Sequence, residues 1–253
     1  MNKKFSENDT KPLAYAAYQK LADAYANLID TKPHNAYYER PAMLALVPDI
    51  QGEDVLDLGC GPGIYAESLV ERGAAKVVSC DISDRMLENA KARLADQIAG
   101  NKVTLLQLDM TQPLDMFADG TFSFVNAPLC LDYIENWDAL MGEIYRVLKP
   151  GGTFLFSCGH PASDAEYFKT KEYFSVEQVQ ATWTGFGIKV MMPCYRRSLE
   201  EIMTPVIAAN LLIDQVREPL PTEDFKKADP RRYRNLMQRP VFLCVRARKA
   251  AQR

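Results

Sequence analysis

The sequence predicts an α/β protein built on one seven-stranded, mostly parallel, doubly wound sheet. Three observations predict it. Short apolar runs alternate with helical stretches in units of about 25 residues, the rhythm of a parallel sheet with helical connections. The first run, Asp54–Leu58, ends in the glycine cluster Gly59-Cys60-Gly61-Pro62-Gly63. Successive runs end on small or polar residues (Gly59, Asp81, Asp109, Asn126, Cys158-Gly159), at the edge where such sheets bind ligands.

The elements follow in order. Leu13, Ala17, Leu21, Ala24, Tyr25 and Leu28 recur at helical spacing and predict an amphipathic helix over 12–30. A second helix is expected over 35–46, interrupted near Pro41. Strand 54–58 leads to a helix over 64–72, and strand 76–80 ends at Asp81. Ser83 can N-cap a helix running to Leu94. A third strand, 103–108, ends at Asp109, and a fourth, 121–125, ends at Asn126. The helix over 137–148 is stopped by Lys149-Pro150-Gly151-Gly152, and a fifth strand covers 153–157. After His160 the alternation lapses, and the stretch 165–195, rich in Tyr, Phe and Trp, reads as an inserted cap. A helix over 198–210 and strands over 211–217 and 241–247 complete the sheet. The organisation expected is a single domain over 1–253. It comprises an N-terminal helical cap (1–48), a cofactor-binding core (49–159), an acceptor-side lid (160–197) and a closing helix and strands (198–253).

Composition narrows the classes of partner. The chain has 253 residues, 25% charged and 47% hydrophobic, with net charge −3 and a pI near 5.6. No global basic field marks it for nucleic acid or an anionic membrane. No run approaches the roughly 18 apolar residues of a spanning helix, and the N-terminus lacks a signal-peptide core. A cytoplasmic protein, monomer or homodimer, is expected. Cys60, Cys80, Cys130, Cys158, Cys194 and Cys244 are scattered without a CxxC pair and read as free thiols of a reducing compartment. With only His34 and His160 as histidines, no metal site is expected.

The glycine loop carries the strongest chemical signal. Glycines after a first strand let the backbone approach a ligand, and the next helix aims free N–H groups at it. A dinucleotide fingerprint wants G-x-G-x-x-G. Here the glycines stand at 59, 61 and 63, Ile64 follows, and Asp57 lies two residues before the first.

Val55-Leu-Asp-Leu-Gly-Cys-Gly-Pro-Gly63 resembles the first motif of the class I S-adenosylmethionine-dependent methyltransferases. Asp81 matches that family's acidic ribose ligand, Asp109-Met110 its motif beside the adenine, and Leu148-Lys-Pro-Gly-Gly152 its turn into strand five. Asn35-Ala-Tyr-Tyr-Glu-Arg-Pro41, Tyr195-Arg196, Glu218-Pro-Leu-Pro221 and Arg239-Pro-Val-Phe-Leu243 are similar to a small-molecule branch. The resemblance implies S-adenosylmethionine as cofactor, with S-adenosylhomocysteine as product. It implies binding by Asp57, Gly59, Cys60, Gly61, Gly63, Asp81, Ile82, Asp109, Met110 and Asn126. Chemically, Asp81 can accept both ribose hydroxyls or can simply cap a helix. Ile82 offers an adenine wall or plain core packing.

On the acceptor side, methyl transfer from a sulfonium needs positioning, exclusion of water and, for a protic acceptor, a general base. Asp132 and His160 are the candidate catalytic groups. Asp132 reads as a base, a cation-binding group or a solvated loop residue, and His160 as a base, an orienting group or a structural residue. Asn126-Ala-Pro-Leu129 departs, at Ala127 and Leu129, from the Pro-Pro-aromatic pattern of nucleic-acid amino-methylating enzymes. Tyr37, Tyr38, Tyr195 and Arg196 are candidate acceptor-side residues, with surface placement the alternative for the arginine. The aromatic stretch either roofs a pocket or packs as a satellite cluster. The leading expectation is a small-molecule methyltransferase. The alternatives are an RNA or protein methyltransferase, favoured by the basic cluster at 231–234, and a non-catalytic cofactor-binding regulator.

Overall fold

A computed structural model describes residues 12–251. Among the described residues nine strands form, in chain order: β1 Asp54–Leu58, β2 Lys76–Asp81, β3 Val103–Gln107, β4 Phe122–Pro128, β5 Leu148–Gly159, β6 Glu177–Trp183, β7 Val190–Arg196, β8 Leu211–Arg217 and β9 Phe242–Lys249. Seven build one sheet in the order β3-β2-β1-β4-β5-β9-β8, while β6 and β7 pair separately. The pairs β1/β2, β2/β3, β1/β4 and β4/β5 are parallel, and β9 runs antiparallel to β5 and β8. The order reverses between β1 and β4, which makes a crevice at their carboxyl ends.

Both faces of the central strands are buried, so neighbouring residues enter opposite cores. Leu56, Val125 and Phe156 join one core with Trp137, Leu140, Met141 and Ile144 of helix α6 (Trp137–Val147). Val55, Phe124 and Leu155 join the other with Leu69 of α3 (Ile64–Glu71) and Ala90 of α4 (Asp84–Arg93). The apolar residues of α6 fall three and four apart, and Asn136 accepts N–H groups of Asp138 and Ala139 to start it.

The N-terminal segment lies over this edge. Helix α1 (Tyr15–Leu28) packs on α4, and polar bonds hold it there. Ser83 Oγ caps α4 at Met86 N–H (3.1 Å) and donates to Gln19 Oε1 (2.6 Å). Arg85 pairs with Asp23, and Arg93 with Asp30, each at 2.5 Å. The expected second helix is a π-helical turn, Asn35–Glu39, running into α2 (Arg40–Leu44). Pro41 falls in the first turn of α2, directly after the π-helical turn.

The region 160–197 holds more regular structure than the sequence suggested. It contains helix α7 (Pro161–Tyr167) and the β6/β7 hairpin, in register from Glu177↔Arg196 to Trp183↔Val190. Its aromatics divide. Phe186 and Trp183 pack with Val190, Met192 and the α1 residues Leu21 and Tyr25, whereas Tyr167 and Phe174 are exposed. These residues pack as one apolar cluster, and Tyr18 of α1 joins it to the turn after β4 by a 2.7 Å bond to Tyr133. The connection before β9 also folds, as α9 (Glu223–Ala228) and α10 (Pro230–Leu236). Asp229 caps α10 and pairs with Arg232, so part of the basic cluster is neutralised locally. The six cysteines are free, and all but Cys194 are buried. Among the described residues no helix is long and apolar enough to cross a membrane, and no cluster of His, Cys, Asp or Glu is arranged to hold a metal ion.

One acceptor-side expectation is corrected by the hairpin. Arg196 is fully buried and ties the cap together. It donates to Glu177 (2.9 Å) and to the carbonyls of Tyr173 (2.9 Å), Glu172 (2.8 Å) and Ser175 (2.7 Å), so four of its five N–H donors are engaged on a side chain closed to solvent. A planar fork with that many fixed partners is not replaced by an ammonium. Arg196→Ala is therefore expected to destabilise this region by about 3 kcal/mol and to expose 170–176 to limited proteolysis, with Arg196→Lys rescuing little. Unchanged protease resistance and melting in both variants would contradict this assignment.

Candidate functional site

The crevice at the β1/β4 reversal collects buried polar groups. Asp57 is wholly buried at the end of β1, and its Oδ1 accepts Asn126 Nδ2 at 2.8 Å across the β1/β4 pair. Its Oδ2, Asn126 Oδ1 and Ser79 Oγ are buried without partners. Burial pushes the Asp57 carboxyl up to about 7, and the charge of Asp81 adds to this. Orphaned acceptors at a strand edge fit a ligand carrying hydrogen-bond donors and positive charge.

The glycine loop bends between the two carboxylates. Cys60 N–H donates to Cys80 O (2.9 Å), Gly63 N–H to Cys60 O (3.0 Å), and Gly61 N–H to Asp81 Oδ2 (2.8 Å). Gly59 has φ +66°, and a Cβ there would collide with the Cys130 side chain, which closes on the loop from the turn after β4. Gly61, at φ +53°, faces open space, so backbone is what it presents to the crevice. Gly63 N-caps α3 from the left-handed region.

Asp81 is 9% exposed and accepts Ser83 N–H at 2.9 Å through Oδ1. Burial raises its carboxyl to about 6 despite these bonds. With the Ile82 amide also donating, its two oxygens still have acceptor capacity left for a hydroxyl donor. Ile82 is half-buried beside it, its carbonyl held by Gln107 Nε2 (3.0 Å). Asp109 uses Oδ1 to close an Asx turn on Thr111 N–H (2.9 Å) and Oγ1 (2.7 Å). Met110 is half-buried against the core behind it.

The acceptor-side candidates part company. Asp132, in the turn after β4, accepts Gly159 N–H through Oδ2 (3.0 Å), and burial raises its carboxyl to about 6. Asp164 of α7 abuts Gly159, and burial, then the charge of Asp132, raises it to about 7. His160 caps α7: Nδ1 accepts Ala162 N–H (3.3 Å) and Nε2 meets Glu218 Oε1 (2.8 Å). Both ring nitrogens are engaged, with the proton required on Nε2. Tyr195 is half-buried, with its hydroxyl 3.4 Å from Glu135. Arg197, next to the misassigned Arg196, is buried over Trp137 with its Nη1 unpartnered.

Tyr37 and Tyr38 are corrected. Tyr38 is fully buried among Phe225, Leu236 and Phe242, its hydroxyl accepting Val241 N–H at 3.1 Å. Tyr37 packs on the same cluster, and its carbonyl accepts both Thr222 N–H and Thr222 Oγ1. They join the N-terminal segment to α9 and β9 instead of lining the crevice. The residue of that segment aimed at the sheet edge is Glu39, which sequence reasoning passed over. It is 2% exposed, accepts Tyr65 Oη (2.9 Å) and Ser157 Oγ (2.5 Å), and is raised by burial to about 7.

Comparison with known proteins matches this arrangement. The family model described as a methyltransferase domain matches residues 56–156. An uncharacterized protein of Haemophilus influenzae is 30% identical over 266 residues, covering 98% of this chain and 99% of its own. A demethylmenaquinone methyltransferase of Leptospira interrogans is 40% identical over 102 residues, 40% of this chain and 41% of that one. The crystal structure of an S-adenosylmethionine-dependent methyltransferase from Mesorhizobium loti superposes with a TM-score of 0.66 at 26% identity, over 83% of this chain and 97% of that one. With the seven-stranded sheet, the glycine loop and its two flanking carboxylates in place, the chain belongs to the class I S-adenosylmethionine-dependent methyltransferases.

Proposed function

We propose that this methyltransferase acts on a small molecule held between the turn after β4 and the cap formed by α1 and residues 160–197. The observation that carries this reading is the cover over the strand edge, where Tyr18 and Tyr133 bond across the acceptor side. A covered site suits a small acceptor and excludes water from the reacting methyl group. The demethylmenaquinone methyltransferase relative, named for a small-molecule acceptor, supports it over the matched core.

S-adenosylmethionine, when bound, supplies a methyl group already activated by a positive sulfur. Asp57 Oδ2 and Asn126 Oδ1 are free to take its ammonium, and Asp81 its ribose hydroxyls. Asp109, Ile82 and Met110 border the adenine side. On the acceptor side, Asp132 keeps Oδ1 for a proton or a cationic group while Oδ2 stays on Gly159. His160, engaged at both nitrogens, orients the start of α7 and Glu218. Turnover separates this reading from a cofactor-binding regulator: labelled methyl donor and a metabolite extract should yield a labelled small product.

Three results are expected. S-adenosylhomocysteine binds and NAD does not, and Asp81→Ala, which removes a charge-assisted pair, weakens binding at least about tenfold with the fold intact. Calorimetry showing an unchanged dissociation constant would reduce Asp81 to a helix cap.

Affinity also follows pH. The raised carboxyls of Asp57 (about 7) and Asp81 (about 6) favour the free fold when protonated, a contribution lost as pH rises through that window. A ligand bringing donors and an ammonium favours the ionised forms, so its affinity rises over the same window. S-adenosylhomocysteine should bind at least about fivefold tighter near pH 7.5 than near pH 5.5. A flat or inverted profile contradicts the assignment.

Asp132→Asn should lower kcat by about a hundredfold for a protic acceptor, while S-adenosylhomocysteine affinity stays within about threefold. An equal fall in both would place Asp132 in the fold instead of the chemistry.

A further inference from the structure

Glu39 stands outside the glycine loop and outside the acceptor turn, yet its two hydrogen bonds reach the supports of both. Oε2 accepts Tyr65 Oη at 2.9 Å, and Tyr65 lies in the first turn of α3, two residues beyond Gly63. Oε1 accepts Ser157 Oγ at 2.5 Å, near the end of β5. Ser157 Oγ in turn accepts Leu129 N–H at 3.0 Å, a donor it shares with the Ser157 carbonyl.

Leu129 is the strained point of this chain of bonds. Its φ is +49°, a left-handed conformation that a branched side chain adopts only when the surroundings impose it. The turn seats Cys130 against Gly59, with Cys130 Sγ donating to Leu58 O at 3.3 Å, and carries Asp132 onto Gly159. The left-handed turn thus presses on the glycine loop from one side while α3 leaves it on the other. A hydroxyl has one proton to give. With the Ser157 proton committed to Glu39, its lone pairs are directed to Leu129 N–H.

We propose that Glu39 is a positioning residue that sets both walls of the cofactor cleft, holding Tyr65 directly and the Leu129 turn through Ser157. The N-terminal segment is thereby part of the cofactor site without touching the cofactor. Glu39 sits in the π-helical turn, where the extra residue per turn changes which side chains face the sheet. Arg40 lies near enough to favour its charge, but burial outweighs it, and the group is 2% exposed. Two hydroxyl donors at the carboxylate match its ionised form.

The inference rests on the reading that the Gly59–Gly63 cleft holds the cofactor, and a double-mutant cycle on the full chain separates the two. Glu39→Ala, Ser157→Ala and Leu129→Gly, singly and in pairs, are titrated with S-adenosylhomocysteine and melted without ligand. Ser157→Ala should weaken binding about tenfold, Glu39→Ala more because it also releases Tyr65, and the pair no more than Glu39→Ala alone. In the Leu129→Gly background, where the left-handed turn needs no enforcement, the Ser157→Ala loss should shrink to below about threefold. Losses that add, or a Ser157→Ala loss of the same size in both backgrounds, overturn the proposal. If Glu39→Ala does not fold, the Ser157→Ala and Leu129→Gly cycle decides alone, together with Glu39→Gln, which keeps one acceptor and should fall between the unaltered chain and Ser157→Ala. An unaltered chain that fails to bind S-adenosylhomocysteine overturns the cofactor reading itself, a result distinct from additive losses.

Discussion

Carboxylates buried at the ends of neighbouring parallel strands are the constraint around which this molecule is arranged. Asp57 and Asp81 leave β1 and β2 side by side, and amides hold them: Asn126 Nδ2 on one, Gly61 and Ser83 N–H on the other. Burying such groups opposes their charge, and their raised carboxyls record it. Local rules for a stable core are broken here, which is what a functional site looks like within an otherwise consistent fold. Folding tolerates the break because the flanking strands are apolar on both faces and supply two cores.

The cover over that edge is joined to the sheet by polar bonds as well as apolar contacts. Ser83 caps α4 and also binds Gln19 of α1, so the start of the helix after Asp81 and the N-terminal helix share one hydroxyl. On the other flank Tyr18 reaches Tyr133 in the turn after β4. The ligand edge is therefore framed by contacts between segments distant in sequence, and movement of α1 would be felt at both Asp81 and the turn.

Much of this was legible in the sequence because it depends on short-range period. Continuous apolar runs marked the central strands, three-and-four spacing marked α1, and the glycine spacing marked the loop. What was illegible depends on which neighbour a residue meets after folding. Arg196 and Arg197 are adjacent and chemically alike. One is consumed by cap carbonyls and the other lies over Trp137 with a free Nη1. The hairpin's signal was present and passed over: in Glu177–Trp183 the apolar Val179, Ala181 and Trp183 alternate with the exposed Gln178, Gln180 and Thr182. Tyr38 and Glu39 were read only as part of the Asn35–Pro41 motif, and a motif does not say which side chains of a π-helical turn meet the sheet.

Position at a strand end does not decide role, as the acceptor side shows. His160 has the expected place and the expected chemistry for a base, yet it is spent on an N-cap and on Glu218. Freeing either nitrogen would uncap α7 or leave Glu218 without its partner. Asp132 also anchors backbone, through Oδ2 to Gly159, but a carboxylate has a second oxygen, and anchoring does not exhaust it. The same burial that raises Asp132 to about 6 makes it a better proton acceptor than an exposed aspartate while leaving it ionised at neutral pH. One residue can therefore fix its own geometry and still do chemistry, which an imidazole with both nitrogens bonded cannot. That difference in capacity is why we propose the acceptor chemistry for the turn after β4 and an orienting role for the end of β5.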